Sequence, residues 1–237
     1  DRILQYGRNQ DGLLYHMIDP RTGKVLRDEL TDNWGYNYNA FLTVAAIDGV
    51  ARYREAVAKV LTNLHKYKEY PWEGGGADGY ADSAEGAINL LNRVAVESAF
   101  EWVDHSMRIL FAKQGDDGIV EGWHGDGNSA RTALMYALWK TQGITASPWR
   151  DDIELGAARV DASTLRVFVR SSRPWRGKLR FDRQRHRDYF HMPLDYPRIN
   201  QFPEWFTVEE SGTYEVFRQY GQPLPVAGNK LLEGYPL

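Results

Sequence analysis

The strongest constraint in this chain is an alternation of two kinds of helix-forming segment along its first 149 residues. Each round opens with a loop holding aromatics and acids, continues with a small-residue, mostly apolar segment, and closes with an amphipathic one. LTDNWGYNYNAFLTVAAIDG comes first; Thr31, Asp32 or Asn33 can cap a helix that runs through Phe41, Leu42, Val44 and Ala45 and stops near Gly49. VARYREAVAKVLTNLHKY follows, with Val50, Tyr53, Val57, Val60, Leu61 and Leu64 at helical spacing. YPWEGGGADGYADSAEGAINLLNRV then reads as a glycine-rich loop leading into a short helix through Ala84, Ala87, Ile88 and Leu91, and AVESAFEWVDHSMRILFAK is again amphipathic. KQGDDGIVEGWHGDGN and SARTALMYALWKTQG make a third round. Helix starts expected near Asn33, Asp82 and Asn128 give a period of roughly 45 to 50 residues, the range of helical-pair repeats.

A helix apolar on most sides must be buried, whereas an amphipathic partner can face water, so stacked pairs build an inner and an outer layer. On this repeat length, on helix character, and on loops such as NWGYNY and EGWHGDGN, residues 1–149 resemble the six-hairpin toroid enzymes that act on polysaccharides. These include glycoside hydrolases of the unsaturated glucuronyl hydrolase kind and toroid polysaccharide lyases. The resemblance implies a partial (α/α) toroid. About three pairs are too few to close a ring, so the missing repeats are expected in the parent chain or in another chain.

After Pro148 the pattern changes. IELGAARVDASTLRVFVRSS and RGKLRFDRQRHRDYFHMPLD alternate and are rich in β-branched and aromatic residues, so residues 150–220 are expected as an antiparallel β-sandwich of six or seven strands. WFTVEE and TYEV, joined by Ser211–Gly212, read as a hairpin. Residues 221–237, with Pro223, Pro225 and Pro236, read as an extended tail. The expected class is therefore α + β and multidomain, and toroid enzymes often carry such a β domain behind their helices.

Hydrolysis of a glycosidic bond needs two carboxyl groups flanking it. Asp82, Glu121 and Asp126 are the acids placed where loops meet inner helices; each also has a plainer alternative, Asp82 as an N-cap and Glu121 as a solvated side chain. His124, between Trp123 and Gly125, could take a proton or orient a carboxylate. Arg131 could hold a uronate carboxylate by a two-pronged contact. Trp34, Tyr36, Tyr38, Trp72 and Trp123 would supply flat surfaces for sugar rings, although most single aromatics in such helices are core residues. Hydrolysis is favoured over β-elimination on a uronate, and a non-catalytic carbohydrate-binding or assembly protein is the reading from another class. Terpene cyclases and prenyltransferase subunits also use helical toroids, but the aspartate-rich motif or cysteine-containing zinc site they bring is missing from the sequence.

Composition narrows the partners. A net charge of -3 and a pI of about 6.1 argue against a nucleic-acid surface, which needs clustered positive charge. Without cysteine, thiolate metal sites are excluded, and the six histidines form no ligand-spaced pair on one helix, so neither metal nor cofactor is expected. No apolar run approaches the roughly 20 residues of a membrane span. The first residue is Asp1: either a leader has been removed, in keeping with a periplasmic or secreted location, or the chain is the C-terminal piece of something longer. Between Arg150 and Arg198 arginine dominates, and Arg183, Arg185 and Arg187, two apart, would share one strand face. That face either solvates an exposed strand or grips an anionic glycan.

Overall fold

The computed structural model describes residues 1–120, 127–198, 201–218 and 221–237. It divides into two compact units, residues 1–136 with 196–203, and residues 137–195 with 204–237. The first is helical apart from a small hairpin, and the second holds short antiparallel sheets.

In the first unit, a short helix α1 (Arg2–Tyr6) leads to the antiparallel pair β1 (Tyr15–Ile18) and β2 (Val25–Leu30). Their turn is held by Asp19, whose carboxylate accepts from the Arg21 amide and the Thr22 hydroxyl. Five helices follow: α2 (Trp34–Asp48), α3 (Ala51–Asn63), α4 (Ala77–Leu91), α5 (Ser98–Phe111) and α6 (Asn128–Thr141), the last continuing past residue 136 into the second unit. Helix α3 packs on α2 and α5, and α5 on α4. Both bury one stripe, Val57, Val60 and Leu61 on α3 and Trp102, Val103, Met107 and Leu110 on α5. Helix α4 behaves differently: thirteen of its fifteen residues are buried, and the two that are not are Asp78 and Asp82.

Contacts between α2, α4 and α6 repeat in register. Tyr36 meets Asp82, Asp82 meets Asn128, Glu85 meets Arg131 and Asn89 meets Met135, every pair 46 residues apart. The hydroxyls of Ser83 and Thr132 each donate to a backbone carbonyl 51 residues earlier, on Asp32 and Ala81. Partners that advance together along both chains mean that the three helices run parallel, each displaced by one repeat from the last. Helices α2 and α4 touch through backbone: a Cβ on Gly35 would lie 2.3 Å from Cα of Gly86. Only a pair of glycines permits that approach.

Helix α4 begins at Ala77, five residues before the Asp82 start that the sequence suggested, so Asp82 is not an N-cap. GGGADGYADS reads as a loop because glycine disfavours helix. Full burial overrides that preference here, since small residues let neighbouring backbones close in. Below this layer lies an aromatic core in which Trp102 meets both Trp34 and Trp72 edge-on, at 6.4 and 6.0 Å.

The second unit is antiparallel but is not the expected sandwich. Strands β3 (Thr145–Ser147), β6 (Lys178–Arg180) and β9 (Tyr235–Pro236) form one sheet, β4 (Ile153–Arg159) and β5 (Leu165–Ser171) a second, and β7 (Thr213–Val216) and β8 (Leu224–Ala227) a third. A sandwich needs a buried inner face on each sheet. The β4–β5 and β7–β8 pairs supply one buried side chain, Ile153, while Trp205 and Val208 on connecting segments and Leu231 on helix α8 (Gly228–Glu233) carry much of the rest of the core. Two pairings differ as well. TYEV pairs with residues 224–227 rather than with WFTVEE, and the stretch expected as an extended tail contains β8, α8 and β9.

Arg183, Arg185 and Arg187 are not on a strand face. Arg185 opens a four-residue helix, α7 (Arg185–Asp188). Carboxylates curl the chain there: Asp182 accepts from the Arg183 amide at 2.9 Å and from the Arg185 guanidinium at 3.0 Å, and Glu204 accepts from the amide and ring of His186. Arg187 bonds Asp188 at 3.0 Å. The arginines are held by local acids, which removes the premise of a shared cationic face.

Among the described residues no helix is long and apolar enough to cross a membrane.

Candidate functional site

The parallel register brings the N-terminal turns of α2, α4 and α6 together. Tyr36 comes from the first turn of α2, Asp78, Asp82 and Glu85 from successive turns of α4, and Asn128 and Arg131 from the first turn of α6. On α4 the acids fall at i, i+4 and i+7, and therefore on one face.

Asp82 is the hub. Its Oδ1 accepts from the Tyr36 hydroxyl at 2.6 Å and from the Asn128 amide at 2.7 Å, and the same amide nitrogen lies 2.6 Å from Oδ1 of Asp78. Burial raises the Asp82 pKa above the usual carboxylate range, and the charges of Asp78 and Asp32 push the same way, against the two hydrogen bonds. Both donors use Oδ1, which leaves Oδ2 as the oxygen able to hold a proton.

One turn further along, Glu85 is fully buried. Burial raises its pKa too, opposed mainly by Arg131, whose Nε donates to Oε2 at 2.8 Å. The Tyr36 hydroxyl reaches that same Oε2 at 3.2 Å. Oε1 of Glu85 has no hydrogen-bond partner among the described residues. Tyr36 is pushed far above the ordinary tyrosine range by burial and by the carboxylates of Glu85 and Asp82, so it stays a neutral donor. For Arg131, burial works against the charge, but Glu85 outweighs it and raises the pKa further. Arg131 also donates to Oδ1 of Asn128, which locks the amide so that its nitrogen faces the two aspartates.

A second group of acids adjoins the first. Asp32, Glu73 and Asp78 each offer a carboxylate oxygen, all within 4.8 Å of one another. These are hard oxygen donors of the kind that Ca²⁺ or Mg²⁺ takes, and neither histidine nor cysteine contributes.

Of the expected site residues, the structure joins Tyr36, Asp82 and Arg131. Glu121, Trp123, His124 and Asp126 lie outside the described residues. Trp34, Tyr38 and Trp72 are fully buried at 0% exposure, so they cannot stack on a sugar ring. Tyr38 instead donates from its hydroxyl to the Gly12 carbonyl, and Trp34 packs edge-on against it. Arg131, expected to grip a substrate carboxylate, grips Glu85. Sequence reasoning missed Asp78, Glu85 and, as more than a cap, Asn128. The signal was present in the spacing of Asp78, Asp82, Glu85 and Asn89, which repeats at three and four residues once the segment is taken as helix. Comparison with protein-family models, with curated proteins and with solved structures finds no match for this chain.

Proposed function

We propose that this chain is part of a carbohydrate-active enzyme that hydrolyses glycosidic bonds with a carboxyl pair, its helices forming an arc of an (α/α) toroid. Asp82 is the proton donor and Asp78 the carboxylate beside it. The observation that carries the reading is the exposure pattern of α4, where everything is buried except these two acids. A helix that buries itself so completely gains nothing in packing from two aspartates at its open positions, whereas acid catalysis needs a desolvated but reachable carboxyl. The side chain of Asp82 retains 14% exposure. Its raised pKa favours the protonated form required to protonate a leaving oxygen. The Oδ1 atoms of the pair share one amide nitrogen, at 2.6 and 2.7 Å. Their separation therefore cannot exceed those two contacts end to end. That limit is shorter than the gap of about 6.5–9.5 Å by which other glycosidases admit a water between their carboxyls, so the pair is set for close action on one bond.

Elimination on a uronate gains less support, because the described cation nearest the acids, Arg131, is engaged by Glu85. The test is a panel of plant, bacterial and animal oligosaccharides, with products followed by mass spectrometry. Wild type should cleave a member of the panel, and Asp82→Asn, which keeps both hydrogen bonds to Oδ1, should lose activity by about 10²–10⁴-fold while retaining its circular dichroism spectrum. An equally active Asp82→Asn protein would remove this mechanism.

A further inference from the structure

Glu85 is the acid of this site that stability explains least. It is fully buried, on a helix with thirteen of its fifteen residues buried, and its Oε1 has no hydrogen-bond partner among the described residues. Burying a charge costs its hydration, and an ion pair in such a place is often no more stabilising than apolar side chains of the same volume. A reason for the carboxylate lies in what it holds. Its Oε2 accepts from Nε of Arg131 at 2.8 Å, and Nη2 of the same guanidinium donates to Oδ1 of Asn128. The amide nitrogen of Asn128 in turn lies 2.6 Å from Oδ1 of Asp78 and 2.7 Å from Oδ1 of Asp82. Hydrogen bonds therefore run unbroken from a carboxylate closed off from solvent, through a cation and an amide, to the two acids at the open end.

Polarity gives this chain of contacts a direction. Turned over, the Asn128 amide would set its nitrogen against the guanidinium and its carbonyl oxygen against two carboxylates, so both ends would repel. The orientation of the amide thus depends on where Arg131 points, and Arg131 has a choice. Its Nη2 lies 4.0 Å from Oδ1 of Asp82. Released from Glu85, the guanidinium has a second carboxylate to turn to, and opposite charges at that distance attract in any medium. Turning there would take it off Asn128 and set a cation against the carboxyl assigned as the acid.

We propose that Glu85 is a positioning residue: it anchors Arg131 so that the guanidinium aims the Asn128 amide at Asp78 and Asp82 and is withheld from Asp82 itself. This deepens the carbohydrate reading, whose acid pair it serves and on which it rests. Glu85 touches neither acid through a hydrogen bond of its own; it acts through Arg131, and Arg131 acts through Asn128. Each link is on a different helix from the one before, so the device also fixes α4 and α6 in the register that brings the pair and the amide together.

Exchange of the Asn128 side-chain amide protons with water is followed by ¹⁵N NMR, the signal being assigned by its loss in Asn128→Ser. In Glu85→Gln, which keeps the shape and drops the charge, these protons should exchange about tenfold faster than in wild type. The backbone amides of Ala84, Ala87 and Ile88 on α4 should keep their rates within about twofold. Arg131→Lys keeps a charge for Glu85 but cannot span Glu85 and Asn128 together, so the amide should be loose there too, and adding Glu85→Gln should change it less than about twofold. On an oligosaccharide that wild type cleaves, Glu85→Gln should lower kcat about tenfold with KM nearly unchanged, since a fully buried group does not touch the sugar. Asn128 exchange unmoved by Glu85→Gln overturns the assignment and leaves the carbohydrate reading standing. Faster exchange along all of α4, or a raised KM with kcat kept, overturns it as well. If wild type cleaves nothing while Glu85→Gln frees the amide, the carbohydrate reading fails and the positioning of Asn128 stands. Should Glu85→Gln not fold, Arg131→Lys decides alone: an amide as protected as in wild type overturns the proposal.

Discussion

Asp82 in the helical unit and Asp152 in the strand-rich unit are the same side chain put to opposite uses. Asp82 is met by neutral donors, a phenol and an amide, while other acids stand close by, and its pKa is raised. At Asp152 burial also pushes upward, but it is overcome by the side chain and backbone of Arg173, by Ser172 and by Arg150, which hold the carboxyl at about 2. The carboxylate clamped by arginines braces a loop, tying residues 150–152 to 172–173. The one whose hydrogen bonds come from a phenol and an amide, with Arg131 only as near as 4.0 Å, keeps a proton within reach. The difference teaches that the identity of the hydrogen-bond donors, more than burial alone, separates a brace from a candidate acid.

Arg131 offers the severest way to break that contrast, since it is the cation of the helical site and holds Glu85 by a hydrogen bond of 2.8 Å while standing 4.0 Å from Asp82. Arg131→Met leaves a fully buried carboxylate without its ion pair and should cost about 3–5 kcal/mol in urea unfolding at neutral pH. The deficit should shrink as pH falls and Glu85 takes up a proton. A loss that does not vary with pH would mean the arginine acts by packing.

A gentler comparison sets Asp152→Asn against Asp82→Asn. The folded pKa of Asp152 is depressed, so its contribution is present above the unfolded value of 3.8 and is lost as pH falls through about 2. Asp152→Asn should therefore lower the melting temperature at neutral pH, and the gap should close in acid. Asp82 has a raised folded pKa, so stability is lost as pH rises from the unfolded value of 3.8 through the folded one. Asp82→Asn should raise the melting temperature at neutral pH, with the gain fading as pH falls towards 3.8 and absent below it. Shifts of the same sign in both variants would erase the distinction. The smallest expected effect is at Arg170, whose exposed pair with Glu154 spans the β4–β5 hairpin. Arg170→Ala should leave the melting temperature within about 1 °C of wild type, because exposed pairs are solvated and screened.

How much was legible in the sequence follows the same divide. The helices themselves were readable because stripes such as Val57, Val60 and Leu61 repeat with the helical turn, and the contacts at 46 residues fall within the expected period. Burial on nearly all sides, expected of the first helix in every round, holds for α4 alone, since α2 leaves Val44 and Ile47 exposed and α6 leaves Leu134 exposed. The meeting of Tyr36 with Asp82 followed from placing both near inner-helix starts. The start of α4 was hidden because its glycines argue locally for a loop while their role is long-range. Burial of Trp34, Tyr38 and Trp72 was illegible for another reason: an aromatic beside a charged loop has the same local signature whether it faces a ligand or the core. In the second unit, alternation identified strands but not partners. TYEV pairs with residues 224–227, and side-chain hydrogen bonds to Asp182 and Glu204 turned an apparent strand of arginines into helix.

The contact between Gly35 and Gly86 has a consequence for how this region can vary. Where two helices are held apart by side chains, each change of side-chain size resets their spacing. Here backbone rests on backbone, so the distance from Tyr36 to Asp82 is gauged by peptide units, whose size does not change. Substitutions elsewhere in the core can loosen or tighten the surrounding layers without moving these two groups relative to each other. The tolerance has a counterpart: at residues 35 and 86 even a methyl group would wedge the hydroxyl away from the carboxyl, so the glycine pair is a fulcrum that cannot change size.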